Sequence, residues 1–252
     1  MRIAISIVLR DLKKNLSQKA RLVASMIRPL LWLFIIGSGF NQIVDIENNG
    51  NYFSFLIPGL ICMTSLFTGV VSSMSIVYDK EFGFIRLLYL SPTPFIIILI
   101  AKMLSAAIIA IIHMSIFSII AILFGFLDPT TLFNPIFLIS LIIVGLLSSI
   151  IGLIISAFSG TVENFATTMN FIIFPVFFLS ESLYPSDGLN VIFKTIININ
   201  PFSHAVIIMR ESLNSNFNFS SFLYILLCII LGLIISFYAH SRESNIINKI
   251  SK

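Results

Sequence analysis

Few side chains in this 252-residue sequence could do bond chemistry, and they are not grouped for it. The histidines His113, His204 and His240 lie far apart, without the short spacing of metal ligands. Cys62 and Cys228 each fall inside an apolar run, where a free thiol behaves as a small buried hydrophobe. There is no Gly-x-Ser-x-Gly nucleophile turn. There is no Gly-x-x-x-x-Gly-Lys-Ser/Thr, the phosphate-cradling loop of many ATPases. What remains are single ionisable groups inside or beside apolar stretches: Arg28, Lys102, His113, Glu181 and Arg210. A charge at the centre of a bilayer costs at least ~2.5–3.5 kcal/mol, so each marks a candidate contact for something that crosses.

Plainer readings compete for each. Arg28 and Lys102 can snorkel to headgroups. A neutral His113 can be satisfied by a neighbouring helix. Glu181, between Ser180 and Ser182, either lines an outer gate or is solvated at the interface. Arg210 and Glu211 can be balanced by their surroundings. Phe171, Phe174, Phe177 and Phe178 read first as packing or lipid contact, and second as a path for hydrophobic cargo.

The elements that position these groups follow from composition. Hydrophobic residues make up 58% of the chain and charged ones only 10%. Soluble domains carry roughly 25% charge. With a mean hydropathy of +1.05, this chain needs lipid as its solvent. The expected fold is an all-α membrane protein, a single domain over residues 1–252. Six stretches meet or approach the ~20 apolar residues of a span. They cover about 22–40, 52–77, 95–126, 135–158, 165–183 and 222–240. Polar, turn-rich connections separate them, such as Asn41 to Asn51 and Leu127 to Asn134.

Lys and Arg set the orientation. Seven lie before or at the start of span one: Arg2, Arg10, Lys13, Lys14, Lys19, Arg21 and Arg28. Lys80, Arg86 and Lys102 flank the connection between spans two and three, and Arg242, Lys249 and Lys252 follow span six. The opposite side holds only Lys194 and Arg210. Both termini are therefore expected in the cytoplasm. The first apolar run is too long for a signal peptide and has no small-x-small cleavage site, so it is expected to stay in the mature protein.

Residues 1–21 read as an amphipathic helix in the inner interface. Ile5, Val8, Leu9, Leu12 and Leu16 recur on one face, with Arg10, Lys13, Lys14 and Arg21 on the other. The connection after span two holds a short helix between Asp79 and Pro92, with Phe82, Ile85 and Tyr89 on one side. Three large apolar groups there suit either a partner's groove or the lipid surface.

Several stretches, in order, resemble the membrane subunits of ABC-2 type transporters, which are mostly bacterial exporters. They are Arg28-Pro29-Leu30-Leu31-Trp32, Phe55-Leu56-Ile57-Pro58-Gly59, Asp79-Lys80-Glu81-Phe82-Gly83 with Ser91-Pro92, Leu179-Ser180 with Tyr184-Pro185, and Asn200-Pro201-Phe202 with Arg210. The likeness runs from about residue 5 to about 240. It departs at Glu181, where the family often has glycine.

The resemblance implies a division of labour. Two membrane subunits pair, as a homodimer by expectation, and two separate ABC ATPase subunits dock beneath. ATP and Mg would sit on those partners, and this chain would bind no cofactor or metal of its own. Asp79, Lys80, Glu81, Phe82, Gly83, Ile85 and Arg86 would form the ATPase-coupling helix. Arg10, Lys13, Lys14 and Arg21 would flank the same surface. Residues 185–214 would dip back as short re-entrant helices on the outer side. His113, Phe174, Phe178, Glu181 and Arg210 are the candidates for a translocation path or gate. The setting would be the bacterial cytoplasmic membrane. An ATP-independent channel or secondary transporter, or a structural membrane subunit of an assembly, are the rival readings. No nucleic-acid partner is expected, and no catalytic residue.

Overall fold

The computed structural model describes residues 2–17, 19–40, 52–85, 93–186 and 188–250, and the regular structure among them is helical. α1 is Arg2–Ser17. α2, Lys19–Leu31, runs through a π turn at Trp32–Ile36 into the short α3, Gly37–Phe40. Then follow α4 (Tyr52–Glu81), α5 (Phe95–Leu123), α6 (Pro135–Phe158), α7 (Val162–Phe178), α8 (Val191–Ile199), α9 (Pro201–Leu213) and α10 (Phe219–Ile250).

Four of these, α4, α5, α6 and α10, are long and apolar enough to cross a membrane. The 24 residues of α6 reach about 36 Å, more than the ~30 Å of a hydrocarbon core. The stretches expected as spans one and five are shorter apolar helices, Ser25–Gly39 and Val162–Phe178. α8 and α9 meet at 79° and count as a fifth candidate only if the bent pair is taken as one crossing. Local hydrogen bonding explains why α7 stops early. The Ser180 hydroxyl turns to the Phe177 carbonyl at 2.5 Å and to Ser182 Oγ at 2.6 Å. Such serine bonds offer the backbone an alternative to the helix.

α4 is the hub, buried along most of its length against α5, α6, α7 and α9, whereas the apolar part of α10, Phe219–Ser241, is mostly not buried in the chain. Lipid gives apolar side chains no reason to prefer one another, so close backbone approach and hydroxyl bonds must hold the helices together. The α4–α6 seam shows both. Gly69 faces Ser148, Gly152 faces Ser73 and Val70, and Ser65 Oγ lies 2.5 Å from Ser148 Oγ. Ser73 also donates across the seam to the Ser149 carbonyl at 3.2 Å.

Two asparagines fix the far ends of helices. Asn134 caps α6 through Ile136 N at 2.9 Å, and its amide donates to the Ser212 carbonyl at the end of α9 at 3.0 Å. Asn200 caps α9 through Phe202 N at 3.0 Å. Its amide donates to the carbonyls of Val176 and Leu179, each at 2.7 Å. One side chain thereby ties the α8–α9 bend to the last turn of α7. Pro201 at the first helical position requires no N–H there.

Candidate functional site

A closed ion-pair cluster fastens α1 to α4 and α5. Lys102 Nζ lies 2.9 Å from Asp11 Oδ2 and 2.7 Å from Asp79 Oδ2. Arg10 Nη2 lies 3.0 Å from Asp11 Oδ1 and 2.9 Å from Asp79 Oδ2. Ser75 donates to Asp11 at 3.3 Å and accepts from Lys102 at 3.2 Å. The side chains of Lys102 and Asp11 are each only 2% exposed, so Lys102 does not snorkel. Two cations face two carboxylates, which is the condition under which buried charge is tolerated. Burial works against the Arg10 charge, but Asp11 and Asp79 more than offset it and raise its pKa above the ordinary arginine value.

α1 therefore presents a different inner face from the one its apolar periodicity suggests. Ile7, Asp11 and Asn15, four residues apart, are buried, and Ile7 packs on Ile98 and Ala101 of α5. Ile5, Leu9 and Leu16 are exposed, as is Lys13. Lys14 sits 4.8 Å over the Tyr78 ring. The side chain of Arg21 lies outside the described residues.

Directly beyond the cluster, α4 ends in a tip held by its last two charges. Lys80 donates to the Ser156 carbonyl at 3.0 Å, near the end of α6. Glu81 accepts from Val162 N at 2.9 Å, at the start of α7, where a helix favours negative charge. Gly83 then turns the chain at φ +76°, a conformation that glycine adopts without strain. Phe82, stacked on Tyr78 at 6.1 Å, is 68% exposed and Phe84 is 55% exposed, while Ile85 is buried. The shared face expected for Phe82 and Ile85 is thus split. Arg86 and Tyr89 lie outside the described residues.

Glu181 and Arg210 meet at the opposite end of the bundle. Arg210 Nη2 donates to the Glu181 carbonyl at 2.8 Å, and Nη1 stands 3.8 Å from its carboxylate. The guanidinium lies 4.1 Å over the Phe55 ring of α4. Ser186 also donates to the Glu181 carboxylate. Tyr52 donates to the Leu183 carbonyl at 2.9 Å, so the same turn is tied to α4 directly as well as through Arg210. Glu181 is a fastened group here, not a free carboxylate.

Between these ends lies a cavity of about 230 Å³, lined by Arg28, Thr64, Phe67, Thr68 and His113 among others. His113 Nδ1 donates to the Ile109 carbonyl of its own helix at 2.7 Å, rather than to a neighbour. Arg28 lies 4.0 Å over the Phe67 ring. Phe174 packs edge-on to Phe67 at 6.0 Å, and Phe178 packs on Trp32 at 5.9 Å. Of the five path or gate candidates, His113 lines this cavity, Phe174 backs its wall through Phe67, Phe178 sits against α2's continuation, and Glu181 and Arg210 belong to the far end. Sequence reasoning missed Asp11 and Asn15, and singled out Asn200 only as part of the Asn200-Pro201-Phe202 stretch. The available signal at Asp11 was a lone acid among the cations of an otherwise basic helix.

The ABC-2 type transporter family matches residues 4–214. A protein named as transport permease ycf38 in Cyanophora paradoxa is 25% identical over 210 residues, covering 81% of this chain and 70% of that protein. Nodulation protein J of Rhizobium leguminosarum bv. trifolii is 24% identical over 194 residues, covering 76% of this chain and 73% of its own. A ycf38 permease of Porphyra purpurea is 42% identical over 76 residues, 29% of this chain and 26% of that one. Matched over most of its length, and built from helices of membrane-crossing size, the chain belongs to the ABC-2 type transporter membrane family.

Proposed function

We propose that the chain is the membrane subunit of an ATP-driven exporter, paired with a second copy and coupled to two separate ATPase subunits. The observation that carries this reading is the α4 tip. Exposed Phe82 and Phe84 project from a helix end that is anchored on every side, to α1 and α5 by the ion-pair cluster, to α6 by Lys80 and to α7 by Glu81. Large apolar side chains on a rigid support suit a partner's groove. Force applied there passes along α4, which packs against α7 where Phe67 meets Phe174.

In this reading ATP and Mg sit on the partners, whose closure moves the tips. Cargo is displaced because the two conformations of the membrane dimer bind it differently. The distribution of Lys and Arg supports a cytoplasmic tip and cytoplasmic termini. The shorter apolar helices at residues 25–39 and 162–178 complete six crossings, and the bent α8–α9 pair is re-entrant on the outer side. The membrane is the bacterial cytoplasmic membrane.

Co-purification tests it. The wild-type chain should bring down an ABC ATPase subunit from its native membrane. Gly83→Pro, which cannot adopt φ +76°, and Glu81→Lys should lose that subunit while still inserting into the membrane. Normal ATPase recovery with both variants contradicts the coupling assignment.

A further inference from the structure

We infer that the π turn at Trp32–Ile36 is a register hinge, which relaxes to α geometry and so rotates α2 against α7 while the outer end of the helix stays fixed. A π turn is an extra residue held inside an α-helix, and such turns recur at functional sites. Here the backbone shows it directly. Gly37 N–H reaches the carbonyls of Trp32 and Phe34, five and three residues back, where an α-helix uses the residue four back. Pro29, shortly before the turn, has no N–H and removes a further hydrogen bond from α2. The helix is thus weakened twice within a short stretch.

The two sides of the turn are held differently. The outer side is pinned. Gly37 lies so close to α4 that a Cβ there would fall 2.6 Å from the Phe53 ring. Phe34 meets Phe124, at the end of α5, edge-on at 5.1 Å, and Leu33 is fully buried. The inner side is freer. Ile27 and Leu31 are half-exposed. Trp32, the first residue of the turn, meets Phe177 and Phe178 of α7 at 6.0 and 5.9 Å. Relaxing the turn rotates this side by about 100° and shifts it about 1.5 Å along its axis, one residue of α-helix. That carries Trp32 off the two phenylalanines and parts α2 from α7.

Ser38 holds the wider register. Its hydroxyl donates to the Phe34 carbonyl and also reaches the Ile35 carbonyl at 3.3 Å, so both acceptors inside the turn are supplied from a side chain. Side-chain donation of this kind competes with the regular helix ladder. The two registers are two packings of one sequence, and whatever binds one of them better shifts the balance.

The hinge belongs to the chain itself, so its test needs no ATPase and can fail without touching the exporter reading. Trp32 is the chain's one tryptophan. The full chain, labelled with 5-fluorotryptophan and placed in phosphatidylcholine nanodiscs, is followed by fluorine NMR. Two exchanging resonances are expected, with populations that change with temperature. Deleting Ile35, an exposed residue of the turn, removes the extra residue and leaves both flanks where the π turn holds them. It should leave one resonance, at the major wild-type position. Ser38→Ala should move the balance toward the minor resonance by roughly threefold or more, as the loss of one hydrogen bond implies. Ser38→Thr keeps the hydroxyl and should stay within about twofold of wild type. A single wild-type resonance at every temperature, both resonances persisting in the deletion variant, or unchanged populations in Ser38→Ala overturns the hinge. If the deletion variant does not fold, the two serine variants decide.

Discussion

Lys102 of α5 and Asp79 of α4 meet at 2.7 Å, with the lysine side chain only 2% exposed. That pair, shared with Asp11 and Arg10 of α1, makes one block of three helices directly behind the exposed tip of α4. The block turns a short apolar knob into a handle, since a push on Phe82 or Phe84 cannot be absorbed by a loose helix end.

Removing the shared cation should loosen the block. Lys102→Met leaves Asp11 and Asp79 with only the half-exposed Arg10 between them, and removing the buried partner of such a cluster costs about 3–5 kcal/mol. Thermal unfolding in detergent should show a large fall. Adding Asp11→Asn and Asp79→Asn to Lys102→Met should recover part of it, because the stranded charges are gone. A triple variant less stable than Lys102→Met alone contradicts the cluster's charge balance. Salt should change the wild-type stability little, since buried pairs are weakly screened.

Gly59 and Gly39 make a contrasting pair. A Cβ on Gly59 would fall on the backbone carbonyl of Ser182, which cannot swing aside as a side chain can. Gly59→Ala should cost about 1–3 kcal/mol through forced separation of α4 from the 179–186 turn. Gly39 has nothing within 4 Å, and Gly39→Ala should gain up to about 1 kcal/mol of helix preference. Equal melting temperatures for the two variants contradict the packing described here.

Asn200 is the hinge pin of the α8–α9 bend. Asn200→Ala strands the carbonyls of Val176 and Leu179 and uncaps α9, for a loss of about 1–3 kcal/mol. Asn200→Asp keeps the cap acceptor and loses the two donors. The expected order of thermal stability is wild type, then Asp, then Ala. An aspartate variant as stable as wild type shows that the two donated bonds do not hold the bend to α7.

The orientation is open to thiol labelling in intact cells. With Cys62 and Cys228 replaced by alanine, Lys13→Cys should react only after the membrane is permeabilised. Asn190→Cys, at the exposed start of α8, should react from outside. The reverse pattern contradicts the cytoplasmic placement of the tip.

Much of the fold was legible because apolar runs of helix length with at most one charge have one reading in a chain this apolar. The long helices α4, α5 and α6 fall where the runs of residues 52–77, 95–126 and 135–158 put them, with α4 carried on to Glu81. The Asn-Pro pair at 200–201 marked a real break. The weaker spans were less clear, since hydropathy does not reveal that serines 180 and 182 turn the chain out of α7. The inner face of α1 was hidden for a different reason. Asp11 is buried only because Lys102, distant in sequence, comes to meet it, and periodicity within one helix cannot report a partner on another. Lys102 and Arg28 read alike as snorkelling cations. Packing separates them, one closed into ion pairs and the other held over an aromatic ring in a cavity.

The most direct test of the coupling claim is cross-linking from the tip. In a cysteine-free background, Phe82→Cys and Phe84→Cys are each treated with a short bifunctional thiol reagent in the assembled complex. Leu123→Cys, at the exposed far end of α5, serves as the distant comparison. The account predicts a covalent adduct with an ATPase subunit from positions 82 and 84, altered in yield by ATP, and none from 123. An ATPase adduct from 123, or none from either tip position in a complex that retains its ATPase, contradicts it.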